Sequence, residues 1–271
     1  MKMTPKEQII ELFERNVKGK SPNVDGRNER HDGREGQWLE EQFGIYPNAD
    51  NEADLFGYEL KNETTSKTTF GDWSANIYIY NKPEYSSIFT GDRTIERRDK
   101  FLRIFGQPNE QRKGRYSWSG SPCPKINSYN DFGQILLVDS NNDIVALYSY
   151  SRDEREDKAD IVPEELQNDE LEIARWYGEH SPTSRRGDKC LKAKLEDKFN
   201  VRGWFTCKKD ANGKYDRICF GRTINYDEWI EWVKEGIVYF DSGMHETNPR
   251  PYSEWRADNN FWDSLITETY E

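Results

Sequence analysis

Apolar residues fall at helical spacing near the start of the chain. Ile9, Leu12, Phe13 and Val17 form one stripe, Thr4 can cap it, Pro5 suits the first turn and Glu7 completes a capping box. The pattern predicts a helix over residues 4–17, then a polar, Gly-rich loop over 18–33. Residues 34–44 read as a short helix with Trp38, Leu39 and Phe43 inward and Gly44 at its end. Residues 57–64 alternate, with Tyr58 and Leu60 on one face and Glu59 and Lys61 on the other, as in a strand. Residues 74–81 are β-branched and aromatic and predict a second strand. Residues 94–106 predict a helix, and 134–151 a hairpin turning at Ser140–Asp143. Further on, the pattern predicts helices starting at Pro163 and over 188–200, and a hairpin around Asn212-Gly213. A helix over 226–236, a strand over 237–243, a long irregular segment over 244–259 and a closing helix over 259–270 complete the chain.

The 271 residues suffice for one large domain or two small ones. Only 34% are hydrophobic and mean hydropathy is −1.06, yet 9 Trp, 15 Tyr and 13 Phe can supply core volume that aliphatics do not. Disordered chains are depleted in such residues. The formal charge of −11 argues by itself against a nucleic-acid partner. The acidic residues are concentrated, however, at 40–42, 153–160 and 163–172, while basic residues cluster at 97–103, 112–115 and 184–186. A local positive surface is compatible with that distribution. The acidic stretch 152–160 is the best candidate boundary, giving an expected division into 1–160 and 161–271. Cys123, Cys190, Cys207 and Cys219 have no CxxC spacing, which speaks against a zinc site or a disulfide framework. No signal peptide or membrane-length apolar run is present in the sequence, so a reduced cytoplasm is the expected compartment.

The sharpest chemistry lies in residues 51–65, NEADLFGYELKNETT. Asp54, four residues, Glu59, one residue and Lys61 make a D-x4-E-x-K spacing. On a strand, Glu59 and Lys61 project the same way, separated by about 6–7 Å of rise. A magnesium ion takes oxygen ligands and keeps several waters, so two or three carboxylates suffice. Glu59 could hold such an ion, the Leu60 carbonyl could add a ligand, Asp54 could complete the pair, and Lys61 could hold or deprotonate a water. In a chain that is 33% charged, the same triplet also reads as a solvated face.

Its neighbourhood decides between the two. DGREGQWLEEQFGIYPNADNEADLFGYELKNET, residues 32–64, resembles the active-site region of the MutH-like branch of the PD-(D/E)xK nucleases, in which a G-x-x-G-x-x-L-E helix precedes a D-x(n)-E-x-K motif. It is most similar to the MvaI/BcnI group of type II restriction endonucleases, and residues 203–262 resemble that group's recognition lobe. The two stretches cover roughly a third of the chain. The resemblance implies a PD-(D/E)xK restriction-endonuclease-like α/β fold: a mixed sheet flanked by helices, with a catalytic lobe and a recognition lobe around a DNA-binding cleft. It implies catalytic roles for Asp54, Glu59, Lys61 and the helix-borne Glu40, with Mg2+ held by Asp54, Glu59 and Leu60. It further implies double-stranded DNA cut at a short CC-x-GG type site, monomeric action on one strand at a time, and a protecting methyltransferase in the same cell. The alternatives are a MutH-like repair nickase and a non-catalytic DNA-binding protein of the same fold.

Residues 241–257 are too polar and irregular for a core. They read either as a loop covering a sheet edge or as a DNA-reading element with donors His245, Asn248, Arg250, Tyr252 and Arg256. Arginine can grip guanine, and asparagine adenine. Arg256 reads equally well as structural, stacked on Trp255. The basic clusters at 97–103 and 112–115 are expected phosphate contacts if the chain is a nuclease, and ordinary solvated helix and loop charge otherwise. His31 and His180 read as ordinary surface histidines.

Overall fold

The computed structural model describes residues 3–24, 33–46, 51–182 and 189–271. His31, part of the expected loop over 18–33 and the basic residues 184–186 lie outside the described residues. Among the described residues no helix is long and apolar enough to cross a membrane. The architecture is mixed α/β, with several sheets flanked by helices.

Contacts group the chain into two compact units. The first comprises Met1–Thr69, Lys194–Glu228 and Ala257–Glu271, and the second Phe70–Ala193 and Trp229–Arg256. Each is assembled from separate stretches of chain, so the expected division after residue 160 falls inside the second unit.

The first unit begins with α1 (Pro5–Asn16), capped by Thr4 and Glu7 as the sequence predicts, and α2 (Arg34–Gln42). Its sheet runs β1-β9-β10-β13, formed by β1 (Glu59–Lys61), β9 (Trp204–Lys209), β10 (Tyr215–Gly221) and β13 (Ile266–Tyr270). β1 lies at the edge and pairs in parallel with β9, Glu59 opposite Trp204 and Lys61 opposite Thr206. The other pairings are antiparallel. Ile9, Phe13, Trp38, Leu39 and Phe43 pack on Tyr58, Leu60, Phe205 and Phe220 in one cluster. Leu60 therefore points into the core, and Glu59 and Lys61 point to the opposite face. That face is also covered, since all three residues of β1 are buried. α5 (Leu191–Phe199) leads into β9, and α7 (Asn259–Ser264) precedes β13.

In the second unit a four-stranded antiparallel sheet runs β3-β8-β7-β6, from β3 (Ile77–Tyr78), β6 (Phe132–Val138), β7 (Ile144–Asp153) and β8 (Leu171–Trp176). A two-stranded sheet pairs β4 (Gln107–Asn109) with β5 (Arg115–Ser117). A three-stranded sheet has the order β11-β12-β2, from β2 (Lys67–Asp72), β11 (Tyr239–Ser242) and β12 (Ser253–Asp258). Helices α3 (Thr94–Phe105), α4 (Lys158–Ile161) and α6 (Tyr226–Lys234) complete the set. The core is aromatic, as the composition suggested. Trp176 packs edge-on against Phe240 and Trp255, Trp118 against Phe101, and Trp229 against Trp255. Buried Gln134 accepts from the Trp118 indole at 2.6 Å and donates to the Phe105 carbonyl at 2.7 Å.

Four expectations differ from the structure. The helix expected from Pro163 is a single 3-10 turn, Glu164–Leu166, followed by strand β8. Leu171, Ile173 and Trp176 are buried there by pairing between β3 and β7, and tertiary pairing overrides a helix-like acidic lead-in. The expected closing helix stops at Ser264, and Thr- and Tyr-containing residues 266–270 pair with β10. Of the strand expected over 74–81, only Ile77–Tyr78 is extended. The irregular segment over 244–259 ends in β12, where Ser253, Trp255 and Ala257 alternate inward.

Candidate active site

The D-x4-E spacing has a geometric cause. Leu55 and Tyr58 exchange two backbone hydrogen bonds of 2.9 Å, closing a two-residue turn at Phe56 and Gly57. Both turn residues have positive φ, 52° and 86°, as the type I′ hairpin turn requires. Gly57 is also sterically fixed, because a Cβ there would sit 3.0 Å from Val201 Cγ1. One closing pair and a two-residue turn set residue 54 across from residue 59.

Glu59 donates its N–H to the Gly203 carbonyl at 3.1 Å, toward β9. Backbone groups of successive strand residues face opposite sides. Those of Leu60 therefore face the open edge, and its N–H donates to Asp54 Oδ2 at 2.9 Å. The Leu60 carbonyl shares that edge with Asp54.

Glu59 Oε1 meets two ammonium groups, Lys61 Nζ and Lys198 Nζ, each at 2.9 Å. Among the described residues, Glu59 Oε2 is buried without a hydrogen-bond partner. Lys61 Nζ also lies 5.1 Å from the centroid of the Phe199 ring. Glu40, on α2, is half-buried, and its carboxyl feels the charges of Lys61, Glu59 and Lys198. The structure thus brings Asp54, Glu59, Lys61 and Glu40 into one electrostatic neighbourhood and adds Lys198.

Burial dominates the protonation chemistry. It pushes Asp54 up to about 6, helped by the negative charge of Glu59 and opposed by Lys198 and Lys61. It also raises Glu40. For Glu59, burial acts upward, but the two ammonium groups outweigh it and hold the carboxyl below its ordinary value. The two lysines move in opposite directions. Burial lowers Lys61, against the pull of Glu59 and with a push from Lys198. Lys198 resists its burial, because Glu59, Asp54 and Glu40 together raise it.

Lys198 was not singled out in the sequence, although a signal was present. Leu191, Leu195 and Phe199 form the buried stripe of α5, and Lys198 stands at the i+7 position of that stripe, where an apolar residue is the ordinary occupant. A charged residue in register with a buried stripe marks a buried partner.

Among the described residues, no group of three or more carboxylate, imidazole or thiol side chains could hold a metal ion. The donors at this edge are instead two carboxylates and a backbone carbonyl. Hard oxygen donors with one carboxylate oxygen left unpartnered suit a strongly hydrated dication that keeps most of its waters.

The segment from Met244 to Arg256 is organised differently. Trp118 N–H donates to the Met244 carbonyl, and Glu246 N–H to the Tyr116 carbonyl, both at 2.9 Å, pinning the segment to β5. Buried Asn248 accepts from the His245 N–H at 2.6 Å and donates to His245 Nε2 at 3.0 Å. That leaves His245 Nδ1 to donate to the Glu246 carbonyl at 2.7 Å. Arg98, buried in α3, donates to the Asn248 carbonyl. Arg256 pairs with Asp241 and Glu254 along the sheet. Arg250 is exposed, pairs with Asp72 at 2.8 Å and lies 4.6 Å over the ring of half-buried Tyr252. Of the expected phosphate contacts, Arg98 is turned inward, Arg103 is exposed and pairs with Glu246, and Arg112 and Lys113 are exposed.

Three comparisons bear on this arrangement. The model of the LlaMI restriction endonuclease family matches residues 17–270. The type II restriction enzyme ScrFI of Lactococcus lactis subsp. cremoris is 60% identical over 267 residues, covering 98% of each chain. The restriction endonuclease MvaI in complex with cognate DNA is similar in fold, with a TM-score of 0.58 at 12% identity over 99% of each chain.

Proposed function

The chain belongs to the LlaMI restriction endonuclease family, and from that premise we propose that it cuts double-stranded DNA at a short CC-x-GG type site, using Mg2+. The observation that carries the chemistry is Glu59, with one oxygen on two ammonium groups and the other buried and unpartnered beside the Asp54 edge. Asp54, Glu59 and the Leu60 carbonyl would hold the dication, which when bound supplies Lewis-acid activation of the phosphate and of water. Lys61 sits one strand step from Glu59, orients the attacking water and takes its proton. Its buried setting brings the neutral amine within easier reach. Glu40 tunes the charge of the same edge from α2.

We assign catalysis to the first unit and site reading to the second. Within the second, Arg250 is exposed and lies over Tyr252, so it is the residue we favour for gripping a guanine edge. His245 and Asn248 shape the segment that presents it. The enzyme acts as a cytoplasmic monomer, one strand at a time, beside a methyltransferase of the same specificity. The test is incubation of unmethylated plasmid with Mg2+, followed by sequencing of the fragment ends. Discrete fragments sharing one CC-x-GG type end, lost on chelation, are expected. Intact plasmid at every metal concentration would overturn the proposal.

A further inference from the structure

Lys198 exceeds what the D-x4-E-x-K chemistry requires. One lysine, Lys61, already stands beside Glu59 on β1, yet α5 delivers a second to the same oxygen at the same 2.9 Å. The end of α5 is committed to this edge twice, because the next residue, Phe199, lies under the Lys61 ammonium. A buried lysine is costly, and an apolar residue at this stripe position would fill the space without that cost. Its presence there calls for a partner whose charge is unbalanced in some state of the enzyme.

We propose that Lys198 is the resident counter-ion of the active site: it balances Glu59 and its neighbouring carboxylates while no metal is bound, and so opposes metal loading. This rests on the reading of Asp54 and Glu59 as metal ligands. The carboxylates of Asp54, Glu59 and Glu40 all bear on Lys198, so the ammonium sits in the field that draws the metal. A fixed positive charge within a few ångströms of a dication in a poorly hydrated pocket weakens binding strongly. Lys198 is therefore a positioning residue. It holds the Glu59 carboxylate in place without metal, and it sets a threshold that the metal must exceed.

The test measures Mn2+ binding to the whole protein without DNA, by electron paramagnetic resonance, in wild type, Lys198→Met, Lys198→Gln, Lys198→Arg and Glu59→Gln. The two neutral variants should bind Mn2+ at least tenfold more tightly than wild type. Lys198→Arg, which keeps the charge, should stay near wild type. A role in packing alone would not separate Met and Gln from Arg in this way. Unchanged or weaker binding in both neutral variants, with Glu59→Gln weakened, overturns the counter-ion role and leaves the metal site standing. If Glu59→Gln binds Mn2+ as wild type does, the metal-site reading fails and the counter-ion role falls with it. Two neutral variants of different polarity guard against one that does not fold, and circular dichroism melts identify it.

Discussion

The edge around Asp54–Lys61 and the segment Met244–Arg256 look alike in sequence, since both are polar, turn-rich and dense in charge. Their side chains are used in opposite ways. In the first, charged groups face one another in a buried pocket, and a carboxylate oxygen is left unpartnered. In the second, polar groups are turned onto the chain's own backbone, with both ring nitrogens of His245 and the amide of Asn248 engaged. The first arrangement costs stability and is chemically primed; the second is satisfied and holds a shape. Polarity alone does not mark a functional residue. The marker is polarity that the fold has not balanced.

The largest expected effect tests the unbalanced side. Glu59→Gln and Lys61→Ala should each lower single-turnover cleavage by about a thousandfold or more, since on the proposed reading each removes a group that acts directly on the metal or the water. Binding of cognate DNA in Ca2+ should stay within a few-fold. Cleavage within tenfold of wild type for either variant would put the two regions on the same footing.

Next is a stability gain from the same region. Asp54 has its folded-state value raised to about 6 from 3.8, so the native state binds its proton more tightly than the unfolded chain does. Below about pH 3 both states are protonated and Asp54 is neutral in effect. As pH rises through 4–6 its ionisation destabilises the fold, by up to about 3 kcal/mol above pH 7. Asp54→Asn should therefore stabilise the chelated, metal-free protein at pH 8 while abolishing cleavage, and the gain should shrink to about 0.5 kcal/mol at pH 4. Denaturant melts at the two pH values read this directly. Equal stabilities at pH 8 would mean that the carboxylate is not strained.

Arg250→Ala sharpens the other side of the comparison. A lost base contact should cost about 1–3 kcal/mol at one position of the site only. Asn248→Ala, which frees the turn that supports Arg250, should weaken binding to every site variant alike. If Arg250→Ala also acts uniformly and flattens the salt dependence, its role is a phosphate clamp.

The local signals explain how much could be read beforehand. The capping box at Thr4 and Glu7 and the hairpin at Asn212-Gly213 are encoded within a few residues, and both are present. That Asp54 lies beside the Glu59–Lys61 strand could be expected from their closeness along the chain, and a two-residue turn sets it there. β8 and β13 were not, because their strand state comes from partners distant in sequence. Lys198 lay further out of reach. It is 139 residues from Glu59 along the chain, and only the fold brings them together.

The smallest expected effect concerns backbone strain, which the two regions also share. Each holds one bulky residue with positive φ, Phe56 at 52° and Thr247 at 67°. Aromatic and β-branched side chains are disfavoured there, at about 1–2 kcal/mol. Phe56 occupies the first position of a turn that favours asparagine and is exposed, so replacing it removes little packing. Phe56→Asn should stabilise the protein by about 1 kcal/mol, a rise in Tm of roughly 2–4 °C. Thr247 is held differently, since its N–H donates to Asp99 Oδ1 at 3.2 Å and the turn is closed by His245 and Asn248. Thr247→Asn keeps that N–H and should give a similar gain without altering cleavage. Cleavage should distinguish the two positions. The Phe56 turn sets Asp54 across from Glu59, so a change in kcat at 56 with none at 247 would mean that strain is used in catalysis. Equal gains with unchanged kcat at both would mean that the fold tolerates the strain without using it.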